Sequence, residues 1–170
     1  MRKYLLPITV VILVVSTLLI FNNTVRYELA KRMNMISAGS YAFSESYHLP
    51  YSEASVIKTI QKFKDKNPKY QVPAVSISSN NTIILEDSRS ENGLWFLAYL
   101  YDPTENRILN IAIRGNKTST TLEFASINEG LKIGHWKDIN RDFSYDENQK
   151  LKKRFEESYL NQIKKSLKNN

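Results

Sequence analysis

The chain is 170 residues long, carries no cysteine, and has 24 Lys and Arg against 17 Asp and Glu, a formal charge of +7. That length holds roughly one domain beyond an N-terminal apolar stretch, and the missing thiols exclude disulfides, thiolate metal sites, cysteine nucleophiles and lipid attachment through cysteine. The positive balance favours an acidic protein or an anionic envelope polymer as partner, although the bases are interleaved with acids as on an ordinary solvated surface.

Arg2 and Lys3 precede an uncharged apolar run over residues 5–21. The run is apolar all round and has no small-x-small cleavage pattern near its end. It therefore predicts an uncleaved single-pass membrane anchor, with residues 1–22 as cytoplasmic tip and transmembrane helix and the remainder outside the cytoplasm. Val25, Leu29, Met33 and Ile36 then recur at helical spacing, with Arg26, Glu28, Lys31 and Arg32 on the other faces. This predicts a stalk that continues the anchor helix, so residues 23–50 read as stalk and connector.

Residues 51–170 read as the folded domain. Ser52 is a helix N-cap, Val56, Ile57, Ile60 and Phe63 form an apolar stripe, and Pro68 stops the helix. Extended pieces follow around Val75 and Ile83, with Asn80-Asn81 as a turn between them. Residues 94–101 are apolar on both faces, which suits a central strand. Asp102, Pro103 and Asn106 predict a tight turn, with Asn106 in the left-handed region. In the next strand Leu109, Ile111 and Ile113 alternate with Asn110, Ala112 and Arg114, giving one dry face and one wetter face. A further strand runs from Thr120 to Ile127 with Leu122 and Phe124 inward, and a last extended piece covers Leu131, Ile133 and Trp136. Ser144 and Glu147 fit a capping box, followed by Leu151, Phe155, Tyr159, Ile163 and Leu167 at four-residue spacing.

The fold class that follows is α+β. After the transmembrane helix come a helix, an antiparallel meander of four to five strands and a C-terminal helix packed on the sheet. In outline this arrangement resembles cystatin-like folds, a likeness that does not fix function.

The chain has two histidines, His48 and His135, with no second histidine at ligand spacing, so neither a metal nor another cofactor is expected. There is no Gly-x-Ser-x-Gly elbow and no phosphate loop. The basic residues of the C-terminal helix are interrupted by Glu147, Glu156 and Glu157, and no nucleic-acid docking motif is present. The densest polar-aromatic cluster is His135, Trp136, Asp138, Arg141 and Asp142, a candidate binding loop just after Gly134. The plainer reading is that Trp136 packs under the C-terminal helix and the loop only orients it. Failing that loop, the exposed face of residues 108–114 is the next candidate. The function expected is that of a membrane-anchored, non-enzymatic binding or accessory domain acting outside the cytoplasm. The alternatives are a small hydrolase-like enzyme built on His135 and neighbouring carboxylates, or an immunity or assembly factor that binds one protein. A deep apolar pocket would favour a small ligand, and a flat patch with aromatic anchors would favour a protein.

Overall fold

Alternating apolar residues in three consecutive strands set the architecture. The computed structural model describes residues 10–11, 14–17, 22–36, 40–78, 81–91 and 93–169. They fall into two units, Met1–Ala42 and Phe43–Asn170.

In the first unit, α1 spans Asn23–Ile36. The expected transmembrane helix is not supported: among the described residues no helix is long and apolar enough to cross a membrane. Of residues 5–21, only 10–11 and 14–17 are described. The Asn22 side-chain oxygen accepts from Thr24 N (3.0 Å) and Val25 N (3.2 Å), so a fresh N-cap opens α1. Leu29 and Met33, read as part of an apolar stripe, are exposed.

The second unit is α+β. Its strands are β1 (Glu45–Leu49), β2 (Val75–Ser78), β3 (Asn81–Ile83), β4 (Ser88–Arg89), β5 (Phe96–Asp102), β6 (Arg107–Gly115), β7 (Thr120–Glu129) and β8 (Trp136–Asp138). Helix α2 spans Glu53–Lys66. The C-terminal helix is α3 (Tyr145–Phe155), a π turn (Glu156–Leu160) and α4 (Asn161–Lys168) without a break. The main sheet has the order β1-β7-β6-β5-β4, with β8 also pairing β7, while β2 and β3 form a separate hairpin.

Of the expected meander, β5 to β7 are present in order; the pieces around Val75 and Ile83 form the separate hairpin instead, the short β4 takes the edge beside β5, and two strands are added along β7. β1, which reads as connector in the sequence, pairs Glu45–Leu49 with Phe124–Thr120. β8 pairs Ser126 with Asp138 and Asn128 with Trp136. The handover between them falls at Ala125. Asn110 faces Ser126 and Ile111 faces Phe124, so Ala125 is an extra residue, a β-bulge. Its carbonyl accepts Ile139 N–H at 3.1 Å, and Asn140 N–H donates to Phe43 O at 2.9 Å, which joins the end of β8 to the start of β1.

One sheet face is dry. Ala98 and Leu100, Leu109, Ile111 and Ile113, and Leu122, Phe124 and Ile127 form one core with Val56, Ile60 and Phe63 of α2 and with Phe155, Tyr159, Leu160, Ile163 and Leu167. Phe124 and Phe155 stack at 4.4 Å, and Tyr70 meets Tyr159 edge-on at 5.0 Å. Ser52 caps α2 by accepting from Ser55 N, and Ser144 with Glu147 forms a full capping box on α3.

Candidate functional site

Strand alternation sends every second side chain of the sheet away from the helices. Reading across the register, that second face carries Leu97, Tyr99 and Tyr101 from β5, Ile108, Asn110, Ala112 and Arg114 from β6, Thr121, Glu123, Ser126 and Asn128 from β7, Ser46 and His48 from β1, and Trp136 and Asp138 from β8. None of these belongs to the helix-side core. Tyr99, Asn110, Ser126 and Asp138 form one row across four strands.

Two aromatics dominate the middle of the face. Tyr99 and Trp136 are rooted three strands apart, yet their rings come within 6.1 Å at 48°. They lean toward one another over β6 and β7, and Ile108 and Ala112 are fully buried on this side. Both rings remain half-buried. Burial, with Asp87 nearby, raises the Tyr99 phenol above its ordinary range, so it stays neutral. Beneath the pair, Asn110 Nδ2 donates to Ser126 Oγ at 3.3 Å, while Asn110 Oδ1 is buried without a hydrogen bond among the described residues.

The candidate loop divides into three parts. Trp136 lies on the sheet face beside Tyr99, not under the C-terminal helix. The reason is its pairing with Asn128, which sends Lys137 to the helix side, where it lies over the Phe143 ring at 5.8 Å. Asp138, Arg141 and Asp142 form a closed knot. Arg141 binds Asp138 at 2.8 Å and Asp142 at 2.9 and 3.0 Å, and Asp142 also accepts Asp138 N–H at 2.8 Å. The guanidinium lies 5.3 Å from the Phe43 ring. Burial raises the Asp138 carboxyl; Arg141 opposes this and Asp142 adds to it. His135 is exposed, and its backbone N–H donates to Asn128 Oδ1 at 2.9 Å.

Asn128, fully buried, organises this end. Its Nδ2 donates to the carbonyls of Gly130 (3.0 Å) and Lys132 (2.8 Å), so one side chain fixes the loop between β7 and β8. Gly130 at φ 73° and Gly134 at φ 119° make the bends on either side, conformations that side chains rarely adopt.

His48 and His135 sit at opposite ends of β7, on the order of 20 Å apart at about 3.3 Å per residue. No group of three metal-binding side chains occurs among the described residues. A cleft of about 460 Å³ beside the hairpin turn is lined by Glu105, Arg107, Glu129, Lys137, Glu147 and Arg154 among others. Its walls pair their own charges: Arg107 with Glu129 at 3.0 Å, Lys137 with Glu129 at 3.8 Å, and Arg154 with Asp102. Along the C-terminal helix, Lys152 pairs with Glu45 at 3.1 Å and Lys153 with Glu157 at 3.9 Å.

No family model matches the chain, and no curated protein and no solved structure matches it.

In the sequence, Trp136 and Asp138 read as a loop and the exposed face of residues 108–114 as a separate alternative. The structure places them on one face. Tyr99 was hidden in a strand apolar on both sides. The signal is its place beside Tyr101 on alternate positions of the strand, two amphipathic rings where the opposite face has Ala98 and Leu100.

Proposed function

We propose that residues 43–170 are a non-enzymatic binding domain that takes a protein partner across the sheet face turned away from the helices. The observation behind this reading is the Tyr99–Trp136 pair: two large rings, half-exposed, in contact at 6.1 Å and set on a rigid sheet. Aromatic anchors with a polar tip give the most contact area for the least ordering entropy, and they dominate the energetics of protein interfaces. Around them lie groups that can hydrogen-bond, namely Tyr101 and Asn110. A flat patch of this kind suits a protein better than a small molecule, which needs a concave, mostly apolar pocket. The role fits an accessory or immunity-type factor that acts by occupying its partner.

The test uses a partner recovered with the full chain and the double substitution Tyr99→Ala with Trp136→Ala. The variant is expected to keep a cooperative melt, because its helix-side core is untouched, while association weakens at least about tenfold. Undiminished association in a folded variant would refute the reading.

A further inference from the structure

We infer that one end of this face, where Arg114, Thr121 and His48 line up, is an anchoring point for an acidic side chain of a protein partner. The inference rests on the protein-binding reading above and names the chemistry of what binds. Arg114 faces Thr121 across β6 and β7, and Thr121 faces His48 across β7 and β1. The three form one row on one face. With strands about 4.8 Å apart, the Arg and His roots straddle the Thr by about 10 Å. An open cleft of about 590 Å³ lies over the row and is closed at one end by the β6–β7 turn with Asn116 and Ser119.

Arg114 is set apart from the other arginines of the domain. Arg89 pairs with Glu53, Arg107 with Glu129, Arg141 with Asp138 and Arg154 with Asp102. Arg114 is exposed and forms no ion pair among the described residues. Its guanidinium instead lies 5.8 Å from the centre of the Trp95 ring. Stacking on indole restricts the side chain while leaving its N–H edge open, so less entropy is lost when an acid arrives. The nearest acid on the face, Glu123, is 8% exposed and otherwise engaged: one oxygen accepts the hydroxyls of Ser44 and Ser46, each at 2.5 Å. Thr121 Oγ1 lies 3.3 Å from His48 Nδ1, so this pair offers one further donor to the row, the hydroxyl or the ring Nε2–H according to the tautomer.

Two features favour a carboxylate borne by a protein. A planar guanidinium beside a hydroxyl matches the two in-plane oxygens of a carboxylate, whereas phosphate sites gather several backbone N–H groups at a helix start or nest. Lipid headgroups are held by clusters of four or more Lys and Arg, and this row has one. The row is also continuous with the aromatic patch through Leu97 and Ala112, and the chain's charge of +7 complements an acidic partner.

The experiment uses the full chain and its two tryptophans, Trp95 and Trp136, whose indole N–H signals are told apart by Trp136→Phe. The probe is a capped peptide of six glutamates spaced by glycine, with the glutamine version and inorganic phosphate as comparisons. The Trp95 signal is expected to shift saturably with the glutamate peptide and not with the glutamine peptide. Arg114→Gln should weaken that binding at least about tenfold, and Lys62→Gln with Lys165→Gln, on exposed helix positions, should leave it within about twofold. A Trp95 signal that does not move, an equal loss in the lysine variant, or phosphate binding as tight as the peptide would each overturn the anchor. If the peptide titration fails while the Tyr99/Trp136 variant still loses its partner, the anchor alone falls. If the titration holds while that variant keeps its partner, the aromatic docking face alone falls.

Discussion

Two aspartates show how residue environment sets the sign of a contribution. Asp102 is 3% exposed and caps the hairpin turn by accepting Thr104 N–H at 3.0 Å and Glu105 N–H at 3.3 Å, while Arg154 grips both its oxygens. Burial pushes its carboxyl up, but the Arg154 and backbone hydrogen bonds outweigh it, so the group sits below the usual carboxylate range. Because the folded value is depressed, its stabilisation is present above the unfolded value, about 3.9, and is lost as pH falls through the folded one. Asp138 has the opposite sign, its folded value being raised. Whatever it contributes is present below the unfolded value and lost as pH rises through the folded one. In urea melts at neutral pH, Asp102→Asn should therefore cost about 2–3 kcal/mol, discounted because Arg154 is partly exposed. Asp138→Asn should cost nothing or stabilise slightly. The Asp102 difference should shrink as pH falls through its depressed folded value, whereas any difference at Asp138 should vanish at higher pH, where its raised carboxyl already protonates. Equal destabilisation by the two substitutions at pH 7 would contradict these environments.

At the level of elements, the features legible in the sequence are those fixed by neighbours in the chain. Asn106 takes φ 50° as its turn position demands, Ser52 and Ser144 cap their helices, and Leu122 and Phe124 point inward. The C-terminal stripe shows what a pattern can conceal. Spacing of four places each apolar residue about 40° past the last in a helix of 3.6 residues per turn, which drifts by about 160° from Leu151 to Leu167. The π turn at Glu156–Leu160 takes up the drift, and Phe155, Tyr159, Ile163 and Leu167 all stay buried. What was not legible depended on distant partners. Nothing near Glu45–Leu49 announces a pairing with Thr120–Phe124, and nothing near Trp136 shows which way it points until Asn128 fixes β8. Asn128→Ala removes four side-chain hydrogen bonds, three given by Nδ2 and one accepted by Oδ1. It should cost about 2–4 kcal/mol and speed amide exchange in Trp136–Asp138 well before the β6 strand is affected. Loss of protection spread evenly over β6 and β8 would mean that Asn128 supports the whole sheet rather than this loop.

On the scale of the whole domain, the two sheet faces have different tasks. One is sealed by α2 and the C-terminal helix and contributes the core. The other is partly covered by its own rings and presents Tyr99, Trp136 and, at one end, Arg114. The exposed bases of the C-terminal helix lie with the covered face, so a partner drawn by general charge alone would meet the helices first. A partner drawn by aromatic anchoring would meet the sheet. Photo-crosslinking separates these directly. A photoreactive residue replaces Leu97, half-buried on the open face, or Lys153, whose side chain is 75% exposed on the helix. Irradiation of cells carrying the full chain is expected to give a single discrete adduct from position 97 and none of that mass from position 153. Adducts from position 153 with none from position 97 would contradict the assignment of the binding face.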